Sequence, residues 1–296
     1  MLNLTRSVLA VMTLALGGSA AYADFLPPNH LDRQDNMRTK RAGTMSQATF
    51  NAVIDEAVAY YGPYLKTNFG STFVVNRKWT DSTVNANATQ FLSTWTVNMY
   101  GGLARRPETT RDGFALVLCH EIGHHLGGYP FVSSWAADEG QADYFATLSC
   151  AHDLWKDQTA TNALSRNIIQ EYPKSLCDAA WTNEADQNLC YRTMLGGKSL
   201  ANLLSALGGT VAQYETPDAS IVPRTNHAHP EGQCRLDTYI AGALCPQQFD
   251  ASVIPGKDFG SKRNSASAET ASGKYTCLQQ DFNTGSRPLC WFKPLL

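Results

Sequence analysis

Eight cysteines, all after residue 118, constrain this chain more than any other feature of its sequence. An even number of cysteines in an exported chain favours disulfides, and no Cys-x-x-Cys pair points to a zinc–thiolate cluster instead. The sequence alone does not choose among the possible pairings. Short loops favour Cys177–Cys190, Cys234–Cys245 and Cys277–Cys290. This leaves Cys119 to pair with Cys150.

The first 23 residues have the organisation of a secretory signal peptide. Arg6 precedes an apolar run, Val8–Leu16, and small residues end the segment at Ala21-Tyr22-Ala23. The run is too short to span a bilayer comfortably, and the Ala-x-Ala pattern predicts cleavage before Asp24. We therefore expect export to the periplasm or the extracellular space, with no stable membrane insertion.

Charge and composition describe the rest of the chain in outline. With 24 basic and 26 acidic residues the net charge is −2. The sequence contains no basic stripe, so we do not expect a nucleic-acid partner. Residues 24–43 are polar and aperiodic, which predicts a mobile lead-in. The principal domain is expected over 44–245, with a cysteine-bearing helical segment at 150–209. A loop-rich, disulfide-closed segment is expected over 246–296.

The first half of the principal domain predicts one helix and two strands. Apolar residues recur at helical spacing over Phe50–Tyr61 behind Ser46 as N-cap, and Gly62-Pro63 is expected to end that helix. Two runs rich in Val, Thr, Phe and Trp follow, Thr72–Trp79 and Phe91–Tyr100, and both predict strands.

The remainder predicts mostly helix, so the expected fold class is α+β. Thr110 caps a predicted helix that runs to Gly127-Gly128. A second helix is predicted from about Ser134 to His152, and further helix over 154–208. The small sheet should lie beside the helix that follows Thr110.

That helix carries the motif with the clearest chemical meaning, LCHEIGHH. His120 and His124 are one helical turn apart, so both imidazoles can reach one metal ion. Glu121 lies beside them, where its carboxylate can take a proton from a metal-activated water. Apolar residues surround the motif, and a buried histidine pair needs partners. The pattern indicates a catalytic zinc site, with one Zn²⁺ per chain.

Two carboxylates on the next predicted helix complete the site. Glu139 and Asp143 are four residues apart and share a face. A carboxylate commonly joins two histidines at hydrolytic zinc, so Glu139 is the expected third ligand, with Asp138 as the nearest rival. Asp143 can accept the remaining ring N–H of a ligating histidine.

Together these residues resemble the gluzincin metallopeptidases of family M forty-eight, the HtpX and CaaX-prenyl-protease group. The resemblance rests on His120-Glu121-x-x-His124 followed by Glu139-x-x-Ala142-Asp143. Three further segments are similar to the family: Asn85-Ala86-Asn87-Ala88, Val97–Leu103, and His229-Pro230 with Arg235. The similarity covers about residues 85–145 and 226–236.

The resemblance implies a zincin-like domain, a peptide or protein substrate, and roles for two further residues. His229 would stabilise the tetrahedral intermediate or gate the zinc, and Arg235 would hold the site together. From the residues alone His227 is an equal candidate for the role of His229. His125 points away from His124 on the helix and is expected in packing or at the surface.

Two functions compete. The first is an exported zinc endopeptidase in which Glu121 is the general base and the strand Phe91–Tyr100 pairs with an extended substrate. The second is a non-catalytic zinc-binding or chaperone-like periplasmic protein. Glu121 favours the first, because a structural zinc site has no need of a base.

Overall fold

The computed structural model describes residues 23–31, 45–247, 250, 252–257, 263–277 and 284–295, and there it combines many helices with one small sheet. The strands are β1 (Ala23–Asp24), β2 (Thr72–Lys78), β3 (Ala86–Phe91) and β4 (Thr94–Tyr100). The helices are α1 (Gln47–Phe69), α2 (Gly101–Ala104), α3 (Arg111–Leu126), α4 (Glu139–Phe145), α5 (Ala151–Trp155), α6 (Thr159–Ser165), α7 (Glu171–Ala180), α8 (Glu184–Ser205), α9 (Gly232–Leu244) and α10 (Ala266–Ser272), with a π-helical turn, Ala146–Cys150, between α4 and α5. This mixture agrees with the predicted α+β class.

Helix α1 begins where the sequence predicts and ends later. The Ser46 side chain caps its first turn. The helix continues through Gly62-Pro63 and stops at Gly70, whose φ of 63° suits glycine. Tyr61 and Leu65 extend the buried face across the proline. Packing of that face therefore outweighs the single helical hydrogen bond that a proline removes.

The four strands pair in the order β1-β3-β4-β2. Strands β3 and β4 form an antiparallel hairpin, β2 runs parallel to β4, and β1 runs antiparallel to β3. The prediction of one strand over Phe91–Tyr100 is wrong, because the chain turns at Leu92, with φ of 52°. Since β4 has a neighbour on each side, it has no free edge, and the prediction that this strand pairs with a substrate is also wrong.

Helix α3, which carries the histidine pair, lies at the centre of the domain. Thr110 caps it as predicted, accepting a hydrogen bond from the Gly113 N–H at 3.0 Å. Every residue from Gly113 to Leu126 is buried, because α3 packs against the sheet and against α1, α4 and α8. A Cβ atom at Gly123 would lie 2.9 Å from the backbone of Ala142. A glycine at this position therefore lets α3 and α4 approach closely.

The second helix of the predicted site begins later than expected. The sequence predicts helix from Ser134 to His152, but α4 starts at Glu139, with Asp138 extended at the N-cap. The residues before it form a tight turn instead. That turn brings the Ala137 backbone against α3, where its N–H donates to the His124 carbonyl oxygen at 2.9 Å.

Four disulfides join the eight cysteines, which fits an exported protein. Two predicted pairs are confirmed, Cys119–Cys150 and Cys177–Cys190. The first ties α3 to the π-helical turn after α4, so it fixes the two elements of the candidate site together. Among the helices of the described residues, none combines the length and the apolar character that a membrane span requires.

The other two predicted pairs, Cys234–Cys245 and Cys277–Cys290, are wrong. The structure joins Cys234 to Cys290 and Cys245 to Cys277. Cys234 and Cys245 lie at opposite ends of α9, about 16 Å apart along the helix, which is too far for a disulfide. The C-terminal segment instead returns along α9, and Trp291 beside Cys290 joins the main hydrophobic core.

Residues 24–31 differ from the mobile lead-in that the sequence predicts. Phe25, Leu26 and Leu31 are buried in the main core. The side chain of Asn85 also accepts from the Leu26 N–H at 2.9 Å and donates to the Leu26 carbonyl oxygen at 3.0 Å. The rest of the predicted lead-in, and the predicted signal peptide up to residue 22, lie outside the described residues.

Candidate metal centre

Three side chains from α3 and α4 form a buried group that can hold a metal ion: His120, His124 and Glu139. The two histidine Nε2 atoms lie 3.1 Å apart. The carboxylate of Glu139 lies 3.2 Å from Nε2 of His120 and 3.6 Å from Nε2 of His124. Ligand atoms at about 2.0–2.1 Å from a tetrahedral ion lie about 3.3 Å from one another. The three separations therefore fit one tetrahedral cation.

The hydrogen bonds on the far side of each ring settle which nitrogen faces the group. Nδ1 of His120 donates to Asp143 Oδ1 at 2.7 Å, and Nδ1 of His124 donates to the Ala137 carbonyl oxygen at 2.8 Å. Each Nδ1 therefore carries a proton, so Nε2 is the nitrogen of each ring that can present a lone pair to a metal ion. The two Nε2 atoms lie at hydrogen-bond distance, 3.1 Å, so without a metal ion a proton lies between them.

Electrostatics inside this group favour a bound cation. Burial lowers the pKa of His124 to about 4, so its Nε2 is unprotonated at neutral pH. Burial also acts against protonation of His120, but the carboxylates of Asp143 and Glu139 outweigh it and raise its pKa to about 9. A metal ion that binds here takes the place of that proton, as is usual for histidine ligands.

Asp143 is the centre of a buried network behind the metal group. Its carboxylate accepts hydrogen bonds from His120 Nδ1, from Arg235 Nε and Nη2 at 2.6 and 2.7 Å, and from the Tyr239 hydroxyl at 2.6 Å. All four side chains are fully buried or nearly so. Burial opposes ionisation of Asp143, but the Arg235 guanidinium holds its pKa well below the usual range. The aspartate is therefore charged, and it orients the first histidine.

Glu121, which the sequence singles out as the candidate base, has a buried carboxylate without a hydrogen-bond partner among the described residues. Burial raises the pKa of this carboxyl group well above its usual value. Burial alone therefore favours the protonated form, and a cation held by the neighbouring ligands would favour the carboxylate that a base requires.

The two histidines of the downstream loop lie in different places. Nε2 of His229 is 3.7 Å from Oε2 of Glu139, and it donates to the Asp24 carbonyl oxygen at 2.6 Å. His227 is half exposed and its Nδ1 pairs with the buried carboxylate of Asp138 at 2.8 Å. His229 is therefore the histidine that faces the metal group, and Asp138 is engaged away from it.

His125 takes no part in the group and packs in the core. Its ring is stacked between those of Trp95 and Trp135, with centroids 5.1 and 5.0 Å away. Burial lowers its pKa to about 3, so this ring is neutral. Of the two environments expected for His125, packing and surface, the structure shows packing.

The structure thus brings together six of the residues that the sequence singled out: His120, His124, Glu139, Asp143, Arg235 and His229. Sequence reasoning missed Tyr239, which binds Asp143, and the backbone of Asp24 and Phe25, which binds His229 and Arg235. Tyr239 could have been found, because it lies one helical turn after Arg235. Comparison of the chain with protein-family models, with curated proteins and with solved structures found no match. The chemistry of the group is therefore inferred from its own residues.

Proposed function

We propose that this chain is an exported zinc-dependent endopeptidase with a gluzincin-type site, as the resemblance to family M forty-eight suggests. One observation gives this proposal its strongest support. Three ligand atoms from His120, His124 and Glu139 lie at the corners of a tetrahedral face, with a partnerless buried glutamate beside them. Three protein ligands and a base are typical of hydrolytic zinc sites.

In this proposal each residue of the site has one role in peptide hydrolysis. A bound Zn²⁺ polarises a carbonyl group and lowers the pKa of a water molecule to about 7. Glu121 takes the proton from the attacking water and passes it to the leaving amine. His229 donates a hydrogen bond to the carbonyl oxygen as it becomes negative. Asp143 and the Ala137 carbonyl keep both ligating rings in the required tautomer.

The competing function is a non-catalytic zinc-binding or chaperone-like protein. A structural zinc site usually has four protein ligands. The group found among the described residues has three, His120, His124 and Glu139. His229 is near enough to become a fourth, but its Nε2 donates to the Asp24 carbonyl oxygen, so this nitrogen carries a proton and offers no lone pair to a metal ion. Three ligands plus a free glutamate favour the enzyme.

A Glu121→Gln substitution tests the proposal, because an amide cannot accept the proton of water. We expect zinc content and thermal unfolding to stay at the wild-type level while peptide hydrolysis falls by about 10²–10⁴-fold. Glu171→Gln, which changes an exposed glutamate of α7, is the matched control and should leave hydrolysis unchanged. Equal hydrolysis by Glu121→Gln and wild type would exclude Glu121 as the base. Bound zinc without hydrolysis of any library peptide would favour the binding protein.

A further inference from the structure

The segment Asp24–Leu26, called here the cleft segment, begins in β1 at the outer edge of β3, and the chain bends at Phe25 and Leu26. Asp24 is in antiparallel register with Asn87, and the Phe25 N–H donates to the Ala86 carbonyl oxygen at 3.0 Å. Adding an extended peptide to an exposed sheet edge is a common mode of peptide recognition. The chain therefore fills its own candidate peptide-binding edge.

The carbonyl groups of the cleft segment are held by residues of the metal centre. The Asp24 carbonyl oxygen accepts from His229 Nε2 at 2.6 Å, the same atom that lies 3.7 Å from Glu139. The next carbonyl oxygen, that of Phe25, accepts from Arg235 Nη1 at 2.7 Å. Two successive peptide groups are thus bound across the site. The Asp24 carbonyl is therefore bound by the residue that we propose as the oxyanion donor.

The Phe25 side chain fills a pocket made by the centre itself. Its ring meets the His120 ring edge-on, with centroids 5.1 Å apart, and the Arg235 guanidinium lies 4.4 Å from the ring centroid. The ring is fully buried, as is Leu26 after it. This pocket suits a large aromatic side chain directly after the carbonyl that His229 binds.

The cleft segment also accounts for the burial of the catalytic candidates. His120, Glu121 and His124 have no exposed surface, and Glu139 is only 7% exposed. The cleft segment covers part of this group, because its backbone contacts His229 and Arg235 and the Phe25 ring contacts His120. The expected processing site lies just before Asp24, so export leaves the cleft segment in place.

We propose that the cleft segment occupies the site as a substrate-like strand, and that the chain hydrolyses peptides only when this strand is displaced. The proposal rests on the peptidase function above. It also names the substrate class: extended peptides with an aromatic residue after the hydrolysed bond, which compete with Phe25 for its pocket.

The test compares the exported, zinc-loaded wild type with Phe25→Ala/Leu26→Ala, which weakens the strand. Leu31→Ala is the control, since it removes a buried leucine of the same chain segment that is not among the contacts of the metal centre. The first readout is the rate of zinc transfer to a chelating dye, and the second is hydrolysis of a peptide library. We expect both rates to rise at least about tenfold in the double variant only. A synthetic peptide of residues 24–29 should reverse the rise, and its Phe25→Ala analogue should not.

The two readouts separate the two proposals. Faster zinc transfer that the peptide reverses, without hydrolysis, supports the strand and rejects the peptidase. Hydrolysis by wild type with equal zinc transfer in all variants rejects the strand and keeps the peptidase. If the double variant does not fold, amide hydrogen exchange of wild type decides. Exchange of the Phe25 and Leu26 amides as slow as that of α3 supports the strand, and exchange within seconds overturns it.

Discussion

Replacing Asp143 with alanine removes the one acceptor on which the network behind the metal centre converges. Four hydrogen bonds are lost, from His120, Tyr239 and both arms of Arg235, and the Arg235 guanidinium is left charged without its carboxylate partner in the core. Breaking a buried ion pair by removing one partner costs about 3–5 kcal/mol. That is a large share of a total stability of about 5–15 kcal/mol. We also expect zinc affinity to fall by about 10–100-fold, because His120 loses its orienting carboxylate.

Urea unfolding in the presence of EDTA measures the free energy of unfolding of the metal-free protein. Arg235→Met should lower the free energy of unfolding by a similar amount, because it leaves the charge of Asp143 buried without its partner. The double variant Asp143→Ala/Arg235→Met should lose less than the sum of the two by about 1–3 kcal/mol, because neither charge is then left alone. A loss under about 1 kcal/mol for Asp143→Ala, or strict additivity, would refute the description of this pair as coupled and buried.

Two further substitutions, each with a control variant, test the site. Gly123→Ala places a Cβ 2.9 Å from the backbone of α4, so it should destabilise the protein by about 1–3 kcal/mol and weaken zinc binding. Gly62→Ala, whose Cβ meets only one side-chain atom at 4.0 Å, should instead stabilise α1 by about 0.5–1 kcal/mol; equal effects in urea unfolding would contradict the close packing of α3 and α4. His229→Ala should lower kcat by about 10²–10³-fold with zinc content unchanged, whereas His227→Ala should have a small effect. A rise in activity in His229→Ala would identify that histidine as a gate, and the reverse ranking would show that His227 holds the role.

The parts of the site that the sequence predicts are those set by helical spacing. His120 and His124 share a face because they are four residues apart on one helix, and Glu139 and Asp143 share a face for the same reason. The cap at Thr110 follows from local side-chain chemistry in the same way. Each of these features depends on a few neighbouring residues, so a single sequence is enough to place it.

The parts that the sequence does not predict depend on contacts between distant residues. Short loops favour Cys234–Cys245, but helix α9 holds these two cysteines apart, and only the return of the C-terminal segment supplies Cys290. Residues 24–43 are polar and aperiodic on average, yet Phe25 and Leu26 are buried in the core, and the Phe25 N–H binds the edge of β3. No local pattern marks a segment that is ordered by residues about sixty positions away, such as Asn85.

X-ray absorption at the zinc edge tests the central claim, that His120, His124 and Glu139 hold a hydrolytic zinc ion. For the wild-type protein the structure predicts two imidazole nitrogens at about 2.0–2.1 Å and oxygen ligands at about 2.0–2.2 Å, with no sulfur near 2.3 Å. The oxygens should belong to Glu139 and to water in the open position. Sulfur in the first coordination sphere, or four nitrogens with no oxygen, would contradict the assignment.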